Sequence, residues 1–195
     1  MERIICIAIL AGMLAGCDFK SGRIENTKEL NREIKASQIK RVTNVQLVSS
    51  ADEWGKKIAQ IAGKALKGEL EKNPDTGLAH CRDLGGIPVI AALEKEYGVK
   101  VELFGTNDVK RPDLHAKERE ILDAYVYSAK SNTQAGDNLQ QLNDTLLVYN
   151  APVSAESIIC KKCMANQDTT FAVWRLLFNK KEIIRKLDAK QLKDK

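Results

Sequence analysis

The sequence predicts an α+β domain in which long helices, set towards the N-terminal side, pack on an antiparallel sheet. Two observations carry this. Apolar residues recur at three- and four-residue spacing between Trp54 and Leu66, the period of an amphipathic helix, whereas Val99-Lys100-Val101-Glu102-Leu103 alternates with the period of a half-buried strand. Further strand-like stretches at Thr145 to Tyr149 and Phe171 to Phe178 follow the helical ones, and that order belongs to α+β domains rather than to repeated βαβ units.

The 195 residues suit one core with appendages. Hydrophobic content of 44% beside 29% charged residues is that of a folded soluble chain, and 5% aromatic residues leaves little to stack on bases, so no nucleic-acid partner is expected. The motifs GxGxxG, GxxxxGK[ST] and GxSxG are absent from the sequence. Asp52, Glu53, Glu118 and Glu120 fall among lysines and arginines and read as solvated ion pairs, and no nucleophile stands beside a base. The chain reads as a binding or sensing module, not an enzyme.

Residues 1–16 read as a lipoprotein signal peptide. Glu2 and Arg3 precede an apolar run from Ile4 to Ala11 that is too short to span a bilayer, and Leu14-Ala15-Gly16-Cys17 resembles the bacterial lipobox. Cys17 is then the lipidation site, attaching the protein to a membrane on the periplasm-facing side of the bacterial cell envelope, since two or more acyl chains anchor stably. Asp18 resembles an inner-membrane retention signal, but that rule varies among bacteria and leaves inner and outer membrane open. Removal of Glu2 and Arg3 leaves the net charge at +5. Residues 17–26 form a polar lipidated tether, and 27–195 the single α+β domain with its basic C-terminal helix.

Within that domain, residues 28–48 are weakly amphipathic, and Ser50-Ala51-Asp52-Glu53 predicts a capping box opening a helix that Asn73-Pro74 stops. A shorter helix from Asp75 to Leu84 carries His80 and Cys81 and breaks at Gly85-Gly86. Pro88 suits the first turn of a helix that Gly98 ends in a left-handed cap. After the strand Val99 to Leu103, Asp113 is positioned to cap a helix with Leu114, Ile121, Leu122, Tyr125 and Ala129 on one side. Residues 131–138 read as a loop. Seven lysines and arginines against three acids in 180–195 make a basic tail able to touch anionic lipid or a partner, while Ile183, Ile184 and Leu187 give it an apolar stripe.

The cysteines carry the chemistry. With Cys6 in the signal peptide and Cys17 lipidated, Cys81, Cys160 and Cys163 remain, an odd number for an oxidising compartment. Cys160-Lys161-Lys162-Cys163 has the spacing of a c-type haem attachment site, with Met164 where such a site has histidine, and a methionine thioether is a competent iron ligand. If the segment is helical, Cys160, Cys163 and Met164 share one side. His80 is a reserve ligand, and His115 reads as a surface histidine. The alternatives are a structural disulfide between Cys160 and Cys163 with Cys81 buried, a zinc site from the three cysteines with His80 or His115, and a redox-active dithiol.

The helix with Cys81, the Gly-Pro break after it, the strand Val99 to Leu103, Arg111-Pro112 leading into the helix of Glu118 and Glu120, and Tyr149-Asn150-Ala151-Pro152-Val153 ahead of the CxxC give a further reading. Over Ile58 to Met164 the chain resembles the PAS-like, cysteine-ligated c-type haem domain family, long catalogued as a domain of unknown function and found in bacterial haem sensors and cyanobacterial haem proteins. The resemblance implies a PAS-like antiparallel sheet, haem c attached through Cys160 and Cys163, and Cys81 and Met164 as axial ligands. It differs from the family in carrying Met164 for histidine and in reducing an Arg-Asn-Pro signature to Asn107 and Arg111-Pro112. It implies redox or small-gas sensing, or electron transfer, with a redox or signalling protein as partner. The alternative is a haem-free lipoprotein that binds a small molecule or protein partner and holds Cys160-Cys163 as its disulfide.

Overall fold

Helices alternate with strands along most of the chain, yet every strand pairing is antiparallel. The computed structural model describes residues 42–133, 135–167 and 171–193, the side chains of 74–76 and 189–193 excepted. The predicted signal peptide, the predicted lipidation site Cys17 and the predicted tether lie outside the described residues. The order is α1 (Asn44–Lys72), α2 (Pro74–His80), a 3-10 turn (Leu84–Gly86), α3 (Pro88–Tyr97), β1 (Val99–Phe104) and a second 3-10 turn (Thr106–Lys110). Then come α4 (Ala116–Lys130), β2 (Asn138–Gln141), β3 (Leu146–Val153), α5 (Ile158–Cys163), β4 (Ala172–Asn179) and α6 (Lys180–Lys193). The fold is α+β, with strand order β1-β4-β3-β2.

Helix α1 starts six residues before the Ser50 cap predicted for it. Thr43 is the N-cap: its Oγ1 accepts from Gln46 N–H at 3.2 Å while Gln46 Oε1 accepts from Thr43 N–H at 2.9 Å, a complete capping box. No breaker separates this box from Ser50, so Asp52 and Glu53 lie inside the helix and bond Lys56 and Lys57 one turn on. Its buried stripe includes Leu47, Ala51, Ile58, Ala62, Leu66 and Leu70, while Ile61, one of the apolar residues between Trp54 and Leu66, is exposed. Gly55 belongs to it because the Tyr149 ring lies where a Cβ would stand.

Helix α3 runs from Pro88 to a left-handed Gly98 at φ 58°, as its punctuation predicts. Asp113, predicted to cap α4, instead pairs with Arg111, and the cap falls to His115, whose N–H donates to Glu118 at 3.0 Å. Strand β2 begins at Asn138, the last residue of the predicted 131–138 loop, and covers Leu139 to Gln141, for which the sequence predicts no element; Asn-Leu-Gln-Gln has no apolar alternation and is a strand only because β3 pairs with it. Strand β3 continues through Pro152, opposite Val173 of β4. Its other edge is open there, since β2 pairs only as far as Asn150, so the missing proline N–H leaves no gap in the ladder.

The two sheet faces differ. Val101, Leu103, Tyr149, Trp174, Leu176 and Phe178 face one way and form an aliphatic core with α1, α3, α5 and Ile183 of α6. The alternate residues face α4, where Phe104, Val173, Leu122 and Tyr125 form a smaller core. No helix of the described residues is long and apolar enough to cross a membrane.

Candidate functional site

A cleft of about 1040 Å³ opens along β1, one of the two edge strands of the sheet. Lys100 to Phe104 form one wall, the chain from Leu78 to Gly85 a second, and the end of α5 with Met164 to Gln167 a third. Glu94 closes part of the strand edge: its Oε1 accepts the Val101 N–H at 2.8 Å.

Cys81 lies in this cleft, bonded to Cys163 with Cα atoms 5.5 Å apart across 82 residues of sequence. The bond joins the turn after α2 to the end of α5 across the C-terminal part of α1. Lys162 Nζ reinforces that junction by donating to the Leu70 carbonyl in the last turn of α1 at 3.1 Å. The Cys160-Cys163 disulfide of the alternative, haem-free reading is therefore corrected to Cys81-Cys163. Burial decides between the two cysteines of the pair: Cys163 looks into the cleft beside Cys81, whereas Cys160 is free and 0% exposed among the residues of the aliphatic core. Burial also pushes the Cys160 thiol up from its ordinary value.

Met164 caps α5 and is buried, its Sδ accepting from Gln167 Nε2 at 2.9 Å. The two side chains fill the space that a Cβ on Gly105 would need. His80 packs on Gly86, where an added Cβ would come within 2.9 Å of the ring, and is not a cleft residue. His115 is exposed at the start of α4. The structure thus brings Cys81, Cys163 and Met164 to one cleft and leaves Cys160, His80 and His115 out of it.

Charge in the cleft has both signs. Arg82, Lys100, Arg111 and Lys162 alternate with Asp83, Glu94, Glu102 and Asp108, and Asn107, Asn166 and Gln167 add amides. Glu102 links this surface to the interior: it accepts from Lys100 at 2.8 Å, meets Arg111 at 3.4 Å, and pairs with Arg175. Arg175 also bonds Glu118 through Nε at 2.8 Å and Nη2 at 2.7 Å, and both are buried. Both Arg111 and Arg175 lie over the Phe104 ring, at 4.9 and 5.3 Å from its centre. Burial raises the Glu102 carboxyl, but the Lys100 hydrogen bond and the Arg175 charge outweigh it and hold the group below its ordinary value. The Asp113 hydrogen bond, with Glu102 behind it, raises the Arg111 guanidinium further.

No protein-family model, curated protein or solved structure matches the chain. The residues themselves therefore decide which chemistry fits. Covalent haem c needs the thiols of Cys160 and Cys163 both free and accessible to one macrocycle; here Cys163 is bonded to Cys81 and Cys160 is fully buried, so this arrangement does not fit the group. The same disulfide removes two thiolates from the zinc set, and among the described residues no three His, Cys, Asp or Glu side chains are grouped to hold a metal ion.

Sequence reasoning missed the ionic cluster. Glu118, read as a solvated acid, is buried against Arg175. Arg175 gave the signal: a guanidinium inside Ala172-Val173-Trp174-Arg175-Leu176-Leu177-Phe178 requires a carboxylate partner.

Proposed function

We propose that the protein is a haem-free, lipid-anchored binding domain of the bacterial cell envelope, and that its β1 cleft takes a small polar molecule bearing both a positive and a negative group. The carrying observation is the composition of the cleft: Arg82, Lys100 and Arg111 beside Asp83, Glu94 and Asp108 in a volume of about 1040 Å³. A volume of this size accommodates a small ligand. Paired charge signs disfavour a purely apolar or a polyanionic one, because an unmatched buried charge is costly.

A disulfide between Cys81 and Cys163 supports an oxidising compartment, which agrees with lipidation at Cys17. The strand order β1-β4-β3-β2, with the last strand between the first and the third, supports the finer reading of the sheet as PAS-like.

Thermal unfolding of the full chain against amino acids, betaines and short zwitterionic peptides tests the ligand. A ligand present at about 100 times its Kd stabilises by about 2.7 kcal/mol, and the rise in Tm should vanish in Arg82→Glu. No shift by any such compound at millimolar concentration, or an equal shift in Arg82→Glu, overturns the assignment. Haem staining of a denaturing gel, after export alongside cytochrome c maturation factors, tests the haem-free part. An unstained band is expected, and a stained band heavier by one haem overturns it. Incorporation of labelled palmitate, lost in Cys17→Ala, tests the anchor.

A further inference from the structure

The pairing of Cys81 with Cys163 leaves Cys160 as a free thiol; Cys160 is a buried member of the aliphatic core, and Cys81 and Cys163 are partly buried residues packed against that core. Cys160 and Cys163 both lie on α5, three residues apart. At that spacing helical side chains share a face with Cβ atoms about 5–6 Å apart, and Cα atoms about 5 Å apart lie inside the range a disulfide spans. A thiol and a disulfide held together in this way are the reactants of an exchange that needs no outside reagent.

We propose that Cys160 is a resolving thiol that moves the disulfide from Cys81-Cys163 to Cys160-Cys163, delivering the Cys81 thiol into the cleft as a site of modification by small disulfides. Cys160 Sγ gives up its proton and attacks Cys163 Sγ. A bond forms between those sulfurs, the bond from Cys163 to Cys81 breaks, and the leaving Cys81 thiolate takes up a proton. One thiol and one disulfide are present before and after, so nothing is oxidised or reduced. The released Cys81 thiolate then attacks a small-molecule disulfide of the glutathione class, forming a mixed disulfide and expelling one thiolate.

Three features fit this role. Cys81 sits at the end of α2 in a turn, where local opening is cheap, whereas Cys160 is fixed in the core. Burial keeps the Cys160 thiol in its protonated form, which holds the exchange in check. The sulfur that leaves is the one lining the cleft. The exchange is independent of what the cleft binds, and it accounts for a CxxC of which only one member is in the folded disulfide.

The test is a disulfide map of the oxidised full chain incubated under native conditions with N-ethylmaleimide, and in parallel with oxidised glutathione. Trypsin cuts after Lys161 and Lys162, which separates Cys160 from Cys163 and makes their linkage visible. The expected product carries the adduct on Cys81 together with a Cys160-Cys163 disulfide, and Cys160→Ala loses the Cys81 adduct while keeping Cys81-Cys163. An adduct on Cys160 alone with Cys81-Cys163 intact, no adduct at all, or an undiminished Cys81 adduct in Cys160→Ala overturns the proposal. The wild-type map decides the matter even if Cys160→Ala does not fold.

Discussion

The two faces of the sheet are held together by different physics. Towards α1 the contact is aliphatic and aromatic, with Ile58, Leu66, Tyr149 and Phe178 fully buried, and its strength is the sum of apolar area removed from water. Towards α4 the apolar core is smaller and is interrupted by Arg175, Glu118 and Glu102. A buried ion pair adds little net stability over apolar side chains, because desolvation offsets attraction, but breaking it is expensive. The α1 face therefore sets how stable the domain is. The α4 face fixes where Glu102 and Arg111 stand in the cleft.

The sharpest way to break the contrast is Arg175→Met, which leaves the buried Glu118 carboxylate without its cationic partner, while Glu102 keeps Lys100 and Arg111, and should cost about 3–5 kcal/mol in urea unfolding. Combining it with Glu118→Leu and Glu102→Leu should recover most of that loss, short of about 1 kcal/mol for the His115 N–H bond that Glu118 accepts at the start of α4. If the triple variant stays as unstable as the single one, the network is a source of stability and the contrast fails. On the other face Leu66→Ala should cost about 3 kcal/mol, with no pair of substitutions able to restore it, because the loss is transfer energy plus a cavity.

Acid should act on the α4 face first. The Glu102 carboxyl is held below its unfolded value of 4.5, so the folded state binds its proton less readily than the unfolded chain does. The stability it contributes is complete above that pH and is lost as pH falls through the lowered folded value. Unfolding midpoints measured between pH 6 and pH 3 should fall less steeply in the triple variant than in the wild type. The smallest effect is local to the helix that builds the aliphatic face: Thr43→Ala should cost about 1 kcal/mol through its cap, whereas Ser50→Ala should be nearly neutral.

Local signals located most elements. Pro88 and Gly98 bound α3, the alternation at Val99 marks β1, and the CxxC lies on a short helix between two strands, as its neighbours require. The errors came where two local signals competed or where none existed. Thr43 and Ser50 each open a capping-box pattern, and the earlier one wins because nothing stops the helix between them. Strand β2 has no pattern of its own and exists through pairing with β3.

The sequence by itself determined the Pro88 and Gly98 ends of α3, the alternation of β1 and the presence of Cys81, Cys160 and Cys163, since each is read from residues close along the chain. Only the tertiary structure decided which cysteines join and which acids are buried. The Cys81 to Cys163 bond spans 82 residues and the Arg175 to Glu118 contact 57, separations at which chain-local propensity carries no information and packing against the sheet sets the partner.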